Sequence, residues 1–263
     1  MKRCQFFEFG DQPWLRGWFR EAYLDGLNLA LRVARQYDGM QRPFAEWAAR
    51  TNSKSVLDMG SGGGGPISTL MRAAQKDHVA MPLVVLSDLH PSPAHYAQLA
   101  SRLGSRIDYV AEPVSATNVH RKEFRLRSLC SAFHHFPPDM ARRIIEDAVQ
   151  NCDGIFIMEP FDRDFRRFFM VLLMGPVLYM LAPFLSPRFR FKKFLVSTLL
   201  PVVPLMLLFD GCVSVLRVYR EEEIKAMFPA EALETFEFKS GSVPYLGLFR
   251  STYFFASRTN ASP

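Results

Sequence analysis

The stretch from Ser55 to Pro66 constrains the fold more than any other part of this chain. It begins with the apolar run SVLDM, which predicts a buried strand. A run of glycines follows, and it predicts a turn where the backbone approaches another group closely. Pro66 then marks the first turn of a helix, whose apolar residues recur at helical spacing. A strand, a glycine loop and a helix in this order place helix N-terminal amides beside a crevice that suits a nucleotide or nucleoside.

The glycines fit two ligand-binding patterns. Gly60, Gly62 and Gly65 satisfy the G-x-G-x-x-G spacing of dinucleotide sites. Together with Asp58 and Gly64, the first two equally satisfy D-x-G-x-G-x-G. The carboxylate of Asp58 favours the second pattern, because a pyrophosphate gains little from a nearby negative charge whereas a cationic amino-acid moiety can use one. A glycine-rich turn without a ligand is the remaining alternative.

Length, charge and cysteine content limit the classes of protein to consider. The 263 residues suffice for one large α/β domain or for a domain with an insertion. The net charge of +6 favours anionic partners, either nucleic acid or an anionic membrane surface. The four cysteines are scattered, so we expect buried, reduced thiols and no metal site. We also expect no signal peptide, because the apolar segments lie late in the chain.

The second predicted strand ends in a further side chain that suits a nucleoside. The apolar run LVVL leads to Asp88, whose carboxylate can accept hydrogen bonds from both hydroxyls of a ribose. The alternative is that Asp88 caps the helix that begins near Ser92. A third strand is predicted over residues 107–113, and Val114 and Ser115 follow it.

The glycine loop and Asp88 together resemble motifs I and II of the class I S-adenosylmethionine (SAM)-dependent methyltransferases. The resemblance covers residues 55–160 and, more weakly, 232–258, where strands near 233–238 and 251–256 match the closing antiparallel pair of the superfamily. It implies an α/β fold with a Rossmann-like, seven-stranded sheet. Where many members have Asp-Ala, this chain has Ser115, whose hydroxyl can still accept a hydrogen bond from the adenine amino group. The residues that the resemblance assigns to SAM are Asp58, Gly60, Ser61, Gly62, Gly64, Asp88, Leu89, Val114 and Ser115.

The fourth and fifth predicted strands lead to the candidate catalytic residues. His134 and His135 follow the strand over 126–133 and resemble the paired histidines common at this place in the superfamily. Histidine is the natural general base near neutral pH, although such a pair more often shapes the pocket floor. Glu159 ends the fifth strand, in the crevice of an open α/β sheet, where it could orient a substrate hydroxyl or amine or bind the N-terminal helix.

Two long apolar runs interrupt this pattern after the fifth strand. Residues 168–185 and 194–209 contain no charged side chain, and basic clusters at 163–167 and 187–193 flank the first run. We expect a hairpin that dips into one leaflet of a membrane, with arginines and lysines at the headgroups. A buried helical pair that folds as a substrate lid and a hairpin that spans the bilayer are the alternatives.

The N-terminal part predicts a helical cap. Asp11 can cap a helix with Pro13 in its first turn, and an apolar helical face follows. Trp14, Trp18 and Tyr23 are candidates for lining a pocket, with plain packing against the sheet as the alternative.

These observations divide the chain into four segments. We predict an N-terminal helical cap over 1–52, the SAM-binding α/β core over 53–162, the apolar helical insertion over 163–216, and the C-terminal helix and closing strand pair over 217–263.

The resemblance and the insertion together suggest a SAM-dependent methyltransferase that acts at a membrane surface on a lipophilic small molecule or lipid. The substrate nucleophile would attack the sulfonium methyl in line, and positioning would supply most of the catalysis. We expect a cytoplasmic protein, peripheral or monotopic on the membrane. No nucleic-acid partner is expected, because the basic residues cluster around apolar runs. The alternatives are a soluble small-molecule methyltransferase, a nicotinamide-dependent reductase that uses Gly60, Gly62 and Gly65, and a non-catalytic SAM sensor. The acceptor atom and the oligomeric state stay open.

Overall fold

The fold is described from a computed structural model, which covers residues 1–51, 53–185, 191–247 and 249–259. The chain divides into two compact units. The sheet unit comprises residues 37–160 and 219–263, and the helical unit comprises residues 1–36 and 161–218.

Seven strands and ten helices make up the regular structure of the described residues. The strands are β1 (Ser55–Met59), β2 (Leu83–Ser87), β3 (Ile107–Tyr109), β4 (Leu126–Cys130), β5 (Gly154–Glu159), β6 (Phe236–Tyr245) and β7 (Phe249–Arg258). The helices are α1 (Gly17–Ala34), α2 (Gln41–Ala48), α3 (Gly65–Lys76), α4 (Pro93–Leu103), α5 (Pro138–Asn151), α6 (Phe165–Leu185), α7 (Phe191–Phe194), α8 (Val202–Arg217), α9 (Glu221–Lys225) and α10 (Ala230–Thr235). Short 3-10 turns form at Phe9–Asp11 and Phe133–His135, and a π-helical turn at Leu195–Leu199 follows α7.

All seven strands form one sheet at the centre of the sheet unit, in the order β3-β2-β1-β4-β5-β7-β6. Strands β1 to β5 are parallel, and β7 runs antiparallel to both β5 and β6. Strands β4 and β5 are buried along their whole length, as the continuous apolar run of β5 predicts. The parallel strands bring the ends of β1, β2, β4 and β5 to one edge of the sheet, where the glycine loop also lies.

Helix α2 belongs to the sheet unit, whereas the sequence analysis groups it with the N-terminal cap over 1–52. Phe44 and Trp47 are fully buried, and their rings lie 5.1 and 5.4 Å from the ring of Phe156 on β5. The indole Nε1 of Trp47 also donates to the carbonyl of Ala256 on β7. The sequence separation between these partners hides this packing from a local pattern.

The closing strand pair is present, but its first strand begins later than predicted. Residues 230–235 form helix α10, and β6 starts only at Phe236. Residues 230–235 are rich in alanine, leucine and glutamate, which favour helix, and Pro229 precedes them at the helix start. The predicted start at Leu233 is therefore wrong by three residues.

The apolar runs after β5 form the helices of the second unit. Helix α6 contains the first run, and Pro201 separates the π-helical turn from α8 in the second. Residues 187–190 of the predicted basic cluster lie outside the described residues. A small apolar core, made by α1, α6 and α8, holds the unit together. Among the described residues no single helix has both the length and the apolar composition to cross a bilayer, whereas the bent pair Phe191–Leu199 and Val202–Arg217, at 61°, meets both requirements together.

Helix α1 begins at Gly17, so the predicted helix start with Pro13 in its first turn is wrong. Asp11 instead closes the 3-10 turn, and Gln12 next to it has extended backbone. The residue before α1, Arg16, is also extended and provides no side-chain cap.

Candidate functional site

The glycine loop after β1 repeatedly uses backbone conformations that favour glycine. Gly60, Gly62 and Gly64 have φ angles of 67°, 53° and 69°. A Cβ atom at Gly60 would lie 3.1 Å from that of Ala132, and one at Gly64 would lie 2.5 Å from Leu99. A Cβ atom at Gly62 would meet nothing within 4 Å. The loop is therefore tightly packed on both sides of Gly62, while the backbone at Gly62 itself faces open space that a ligand could occupy.

Asp58 lies behind this loop rather than in its opening. Its side chain is fully buried, and its two carboxylate oxygens accept hydrogen bonds from the hydroxyls of Ser61, at 2.6 Å, and Ser128, at 2.8 Å. Burial raises the pKa of this carboxyl to about 6, although both hydroxyls act in the opposite direction. Asp58 thus fixes Ser61 and joins β1 to β4. Its predicted contact with a cationic ligand group stays a prediction.

Asp88 lies at the carboxyl end of β2 and binds the glycine loop directly. One carboxylate oxygen accepts the N–H of Gly62 at 2.8 Å, and the other accepts the N–H of His90 at 2.8 Å. The alternative role, a cap on α4, is wrong, because both carboxylate oxygens bind N–H groups that lie outside that helix. Each oxygen of a carboxylate has a second lone pair, so Asp88 keeps acceptor capacity beside the opening at Gly62.

The remaining predicted cofactor residues lie next to Asp88. The N–H of Val114 donates to the Asp88 carbonyl at 2.8 Å, which joins the loop after β3 to the end of β2. Val114 is buried, whereas Leu89, which follows Asp88 in the chain, is 53% exposed. The hydroxyl of Ser115 lies 3.0 Å from that of Thr117. Loop and strand ends thus bring these predicted residues together along one edge of the sheet.

Tyr96 on α4 supports the glycine loop and was missed by the sequence analysis. Its hydroxyl donates to the carbonyl of Gly62 at 2.9 Å, and its ring is fully buried. Gly62 is therefore held from both sides, by Asp88 on its N–H and by Tyr96 on its carbonyl. A tyrosine at an apolar position of an amphipathic helix resembles a core residue, so the sequence contains no signal for this role.

His134 and Glu159 form the second polar cluster of the site. One carboxylate oxygen of Glu159 accepts the backbone N–H of His134 at 2.9 Å, and the other lies 2.5 Å from its Nδ1. Both side chains are buried. Because an ionised carboxylate only accepts hydrogen bonds, a neutral imidazole beside ionised Glu159 would carry its proton on Nδ1. The ring of His135 lies 4.2 Å from that of His134.

A strained turn connects the two clusters. Ser131, directly after β4, has a φ of 61° and donates its N–H to the Met158 carbonyl at 2.7 Å. Its hydroxyl lies 2.5 Å from that of Tyr37, which is fully buried. Ala132, the next residue, is the one that Gly60 packs against. Non-glycine residues in this backbone region persist where the surroundings enforce them, often at functional sites.

Searches against protein-family models and against curated proteins returned no match. Solved structures do match. The plantazolicin methyltransferase BpumL in complex with SAH superposes with a TM-score of 0.53 at 12% identity, over 91% of this chain and 90% of the other. The complex of BpumL with a monoazolic desmethylPZN analog and SAH gives the same values. Magnesium protoporphyrin IX methyltransferase (ChlM) from Synechocystis PCC 6803, with bound SAM, gives a TM-score of 0.48 at 12% identity, over 88% and 84% of the two chains.

The two BpumL superpositions establish the fold. Together with the strand order, they show that this chain has the class I methyltransferase fold, as the sequence analysis predicts. The position of β7 is the distinguishing feature, because the dinucleotide-binding fold places six parallel strands in the order 3-2-1-4-5-6. Here an antiparallel strand lies between the fifth strand and the edge of the sheet.

Proposed function

We propose that this chain is a SAM-dependent methyltransferase. The observation that carries the proposal is the contact between Asp88 and the N–H of Gly62 at the carboxyl edge of a sheet with methyltransferase topology. It brings an acceptor for ribose hydroxyls and an open stretch of glycine backbone to one place, which suits a nucleoside. The similar protein BpumL was solved with SAH, the product form of such a cofactor.

The residues of the site would have separate roles in cofactor binding and in proton removal. Asp88 would accept hydrogen bonds from the ribose, the backbone at Gly62 would allow close approach, and Ser115 would lie near the adenine. SAM, when bound, supplies an activated methyl group. The protein then has mainly to hold the acceptor in line with that group and to exclude water. Where the acceptor must lose a proton, His134 would be the base, with Glu159 holding its imidazole in place.

Calorimetry with purified protein tests the cofactor. We expect SAM to bind the wild type and to bind Asp88→Asn roughly 10- to 100-fold more weakly, since hydrogen bonds to a charged acceptor contribute about 1.5–3 kcal/mol each. Asp108→Asn, an exposed aspartate on β3, is the matched control and should keep wild-type affinity. Displacement of SAM by NADH, or equal SAM affinity in wild type and Asp88→Asn, would contradict the proposal.

We further propose that the acceptor is lipophilic and that the reaction takes place at a membrane surface. Helix α6 supports this, because an apolar stripe at every fourth position along it is uncovered. The exposed fractions are 62% for Phe165, 56% for Phe169, 74% for Leu173, 65% for Val177 and 46% for Leu181. Large contiguous apolar patches on a protein surface mark sites of interaction with proteins, ligands or membranes.

Exposed basic side chains are present on α6 and on α7. Arg166 is exposed one residue after the start of α6, and Lys192 is exposed on α7. Cations next to an apolar helix face suit anionic lipid headgroups, because the side-chain stems stay in apolar surroundings while the charges reach the phosphates. This arrangement favours peripheral or monotopic association over a lid, whose apolar face would be covered by the protein itself.

Cosedimentation with vesicles tests the membrane part of the proposal. The double variant Leu173→Glu/Val177→Glu places two charges in the exposed stripe and should lose binding to vesicles that contain phosphatidylglycerol. Leu233→Glu is the control, because Leu233 is 46% exposed but lies on α10 of the sheet unit. Equal sedimentation of the double variant and the wild type would contradict docking through α6. Wild-type protein that stays in the supernatant would favour the soluble, lid-type methyltransferase.

A further inference from the structure

The N-terminal aromatic segment, defined here as residues 6–19, exposes large aromatic side chains. The exposed fractions are 54% for Phe6, 55% for Phe7, 52% for Trp14 and 44% for Trp18. These residues belong to the helical unit and were not part of the predicted apolar hairpin. Exposed tryptophans are uncommon in a folded chain, because burial of a large aromatic side chain contributes strongly to stability.

The rings of this segment contact one another and continue onto α8. Phe9 connects the series, with its ring 5.2 Å from that of Phe7 and 6.2 Å from that of Trp14. Phe209 of α8 lies 5.1 Å from Phe7 and 5.3 Å from Phe9. Trp14 in turn stacks on Phe19 at 6.5 Å. The result is a connected aromatic surface, with its outer rings exposed.

Buried polar contacts hold the segment in place. Asp210, which is 4% exposed, accepts the backbone N–H groups of Phe9 and Gly10 at 2.8 Å each. Its carboxylate also accepts the Tyr23 hydroxyl at 2.7 Å. Arg217 forms ion pairs with the neighbouring acidic side chains of Glu8 and Asp11. Because the backbone is fixed at these points, the exposure of the rings is a defined feature of the fold rather than a consequence of a loose terminus.

Cations surround the exposed rings. Arg16 and Arg20 are exposed, and Lys192 places its Nζ 6.0 Å from the ring of Trp18. The carboxylates of Glu21 and Asp25 are directed to Lys193. The surface around the tryptophans therefore presents aromatic rings and positive charge together.

We infer that the N-terminal aromatic segment is a second docking element, which inserts Trp14 and Trp18 into the interfacial layer of an anionic phospholipid bilayer. Tryptophan prefers this layer because its ring is apolar and its N–H is polar. Arginine and lysine beside it complement anionic headgroups. The inference rests on the membrane part of the proposed function, which assigns docking to α6 alone.

The three tryptophans of the chain provide a direct test. Trp14 and Trp18 are exposed, whereas Trp47 is fully buried in the sheet unit. Full-length protein is mixed with phosphatidylglycerol–phosphatidylcholine vesicles whose acyl chains carry bromine, a contact quencher of tryptophan emission. We expect the emission to shift to shorter wavelength and to lose intensity relative to unbrominated vesicles. The double variant Trp14→Phe/Trp18→Phe retains only Trp47 and should show neither change.

Affinity provides a second readout. Trp14→Ala/Trp18→Ala should bind these vesicles about tenfold or more weakly than the wild type, because it removes two large apolar side chains from the docking surface. Thermal unfolding of this variant is measured alongside, because the covered part of each ring packs against Phe9 or Phe19 and its loss lowers stability. Trp14→Phe/Trp18→Phe keeps most of this packing and serves as the folded reference.

The possible outcomes separate this inference from the proposed function. Wild-type protein that sediments with vesicles without quenching would overturn the inference and leave docking through α6 intact. Absence of sedimentation would overturn both, while SAM calorimetry on the same preparation decides the methyltransferase part independently. A vesicle-free dimer in analytical ultracentrifugation, with tryptophan emission already at short wavelength, would show that a second copy covers the surface and would also overturn the inference.

Discussion

Replacement of Asp58 by asparagine should change how the stability of this protein depends on pH. Asp58 is fully buried behind the glycine loop, and burial raises the pKa of its carboxyl from 3.8 to about 6. Asparagine has nearly the same shape and can still accept a hydrogen bond from Ser61 or Ser128, but it does not titrate.

The expected sign follows from proton binding in the two states. In the unfolded chain the carboxyl ionises near pH 3.8, whereas in the folded protein it keeps its proton up to about pH 6. Rising pH in this window therefore favours unfolding, because only the unfolded state releases the proton. The contribution of Asp58 to the free energy of unfolding should therefore fall by about 3 kcal/mol between these pH values, at about 1.4 kcal/mol for each pKa unit, and should then level off.

Urea denaturation of wild type and Asp58→Asn across this pH range measures the effect. Both proteins should carry Trp14→Phe and Trp18→Phe, so that Trp47 reports on the sheet unit alone. Other carboxyls titrate equally in the two proteins, so their contributions cancel in the difference between the free energies of unfolding. Between about pH 3 and pH 7, the free energy of unfolding of Asp58→Asn should rise by about 3 kcal/mol relative to that of the wild type.

A flat difference over that range would refute the reasoning, because it would mean that the folded state does not retain the proton on Asp58. A difference with the opposite sign would mean that the hydroxyls of Ser61 and Ser128 stabilise the carboxylate by more than burial costs. Asp108→Asn, at an exposed position on β3, is the control for the general effect of replacing an aspartate by asparagine.

Three further changes test individual contacts. Tyr96→Phe removes the hydrogen bond to the Gly62 carbonyl, and SAM affinity measured by calorimetry should fall about fivefold, with little loss of stability; an unchanged affinity would contradict a supporting role. Gly64→Ala should lower the free energy of unfolding by about 3 kcal/mol, because it combines a positive φ with a clash against Leu99, whereas Gly62→Ala incurs only the backbone cost of about 1–2 kcal/mol. Asp210→Ala leaves one buried and two half-buried donors without their acceptor and should destabilise the protein by about 3 kcal/mol in thermal unfolding, with Asp210→Asn intermediate.

Local sequence patterns predicted the parts of the fold that depend on local chemistry. The glycine loop could be predicted because the glycines, the apolar run before them and the proline after them all lie within a dozen residues. The strand ends at Asp88 and Glu159 could be placed because a strand buried on both faces has a continuous apolar run. The sheet topology followed from the resemblance rather than from these patterns.

The features that the sequence did not reveal depend on contacts between distant residues. Ser128, 70 residues away from Asp58, supplies the hydrogen bond that helps to keep the carboxylate behind the loop. Tyr37 and Ser131, whose hydroxyls are in contact, are 94 residues apart in the sequence. The positive φ of Ser131 could not be predicted either, because this backbone region is typical of glycine and asparagine rather than serine. The sequence did not predict the exposure of Trp14 and Trp18 either, because it too depends on contacts between distant residues. The predicted lining of a pocket by these residues stays a prediction, while Tyr23, the third candidate, is buried against Asp210.

The position of β7 in the sheet also affects how the chain folds during its synthesis. Strand β5 pairs with β7 along its whole length, and these two strands are separated by about a hundred residues. A ribosome that has completed β5 must therefore synthesise all of α6 to α10 before the partner strand emerges. If the parallel strands pair first, β5 would form an open sheet edge during that interval, and such an edge is a template for pairing with other chains. Nascent chains that stall before residue 249 should consequently be the species most prone to aggregation and most dependent on chaperones.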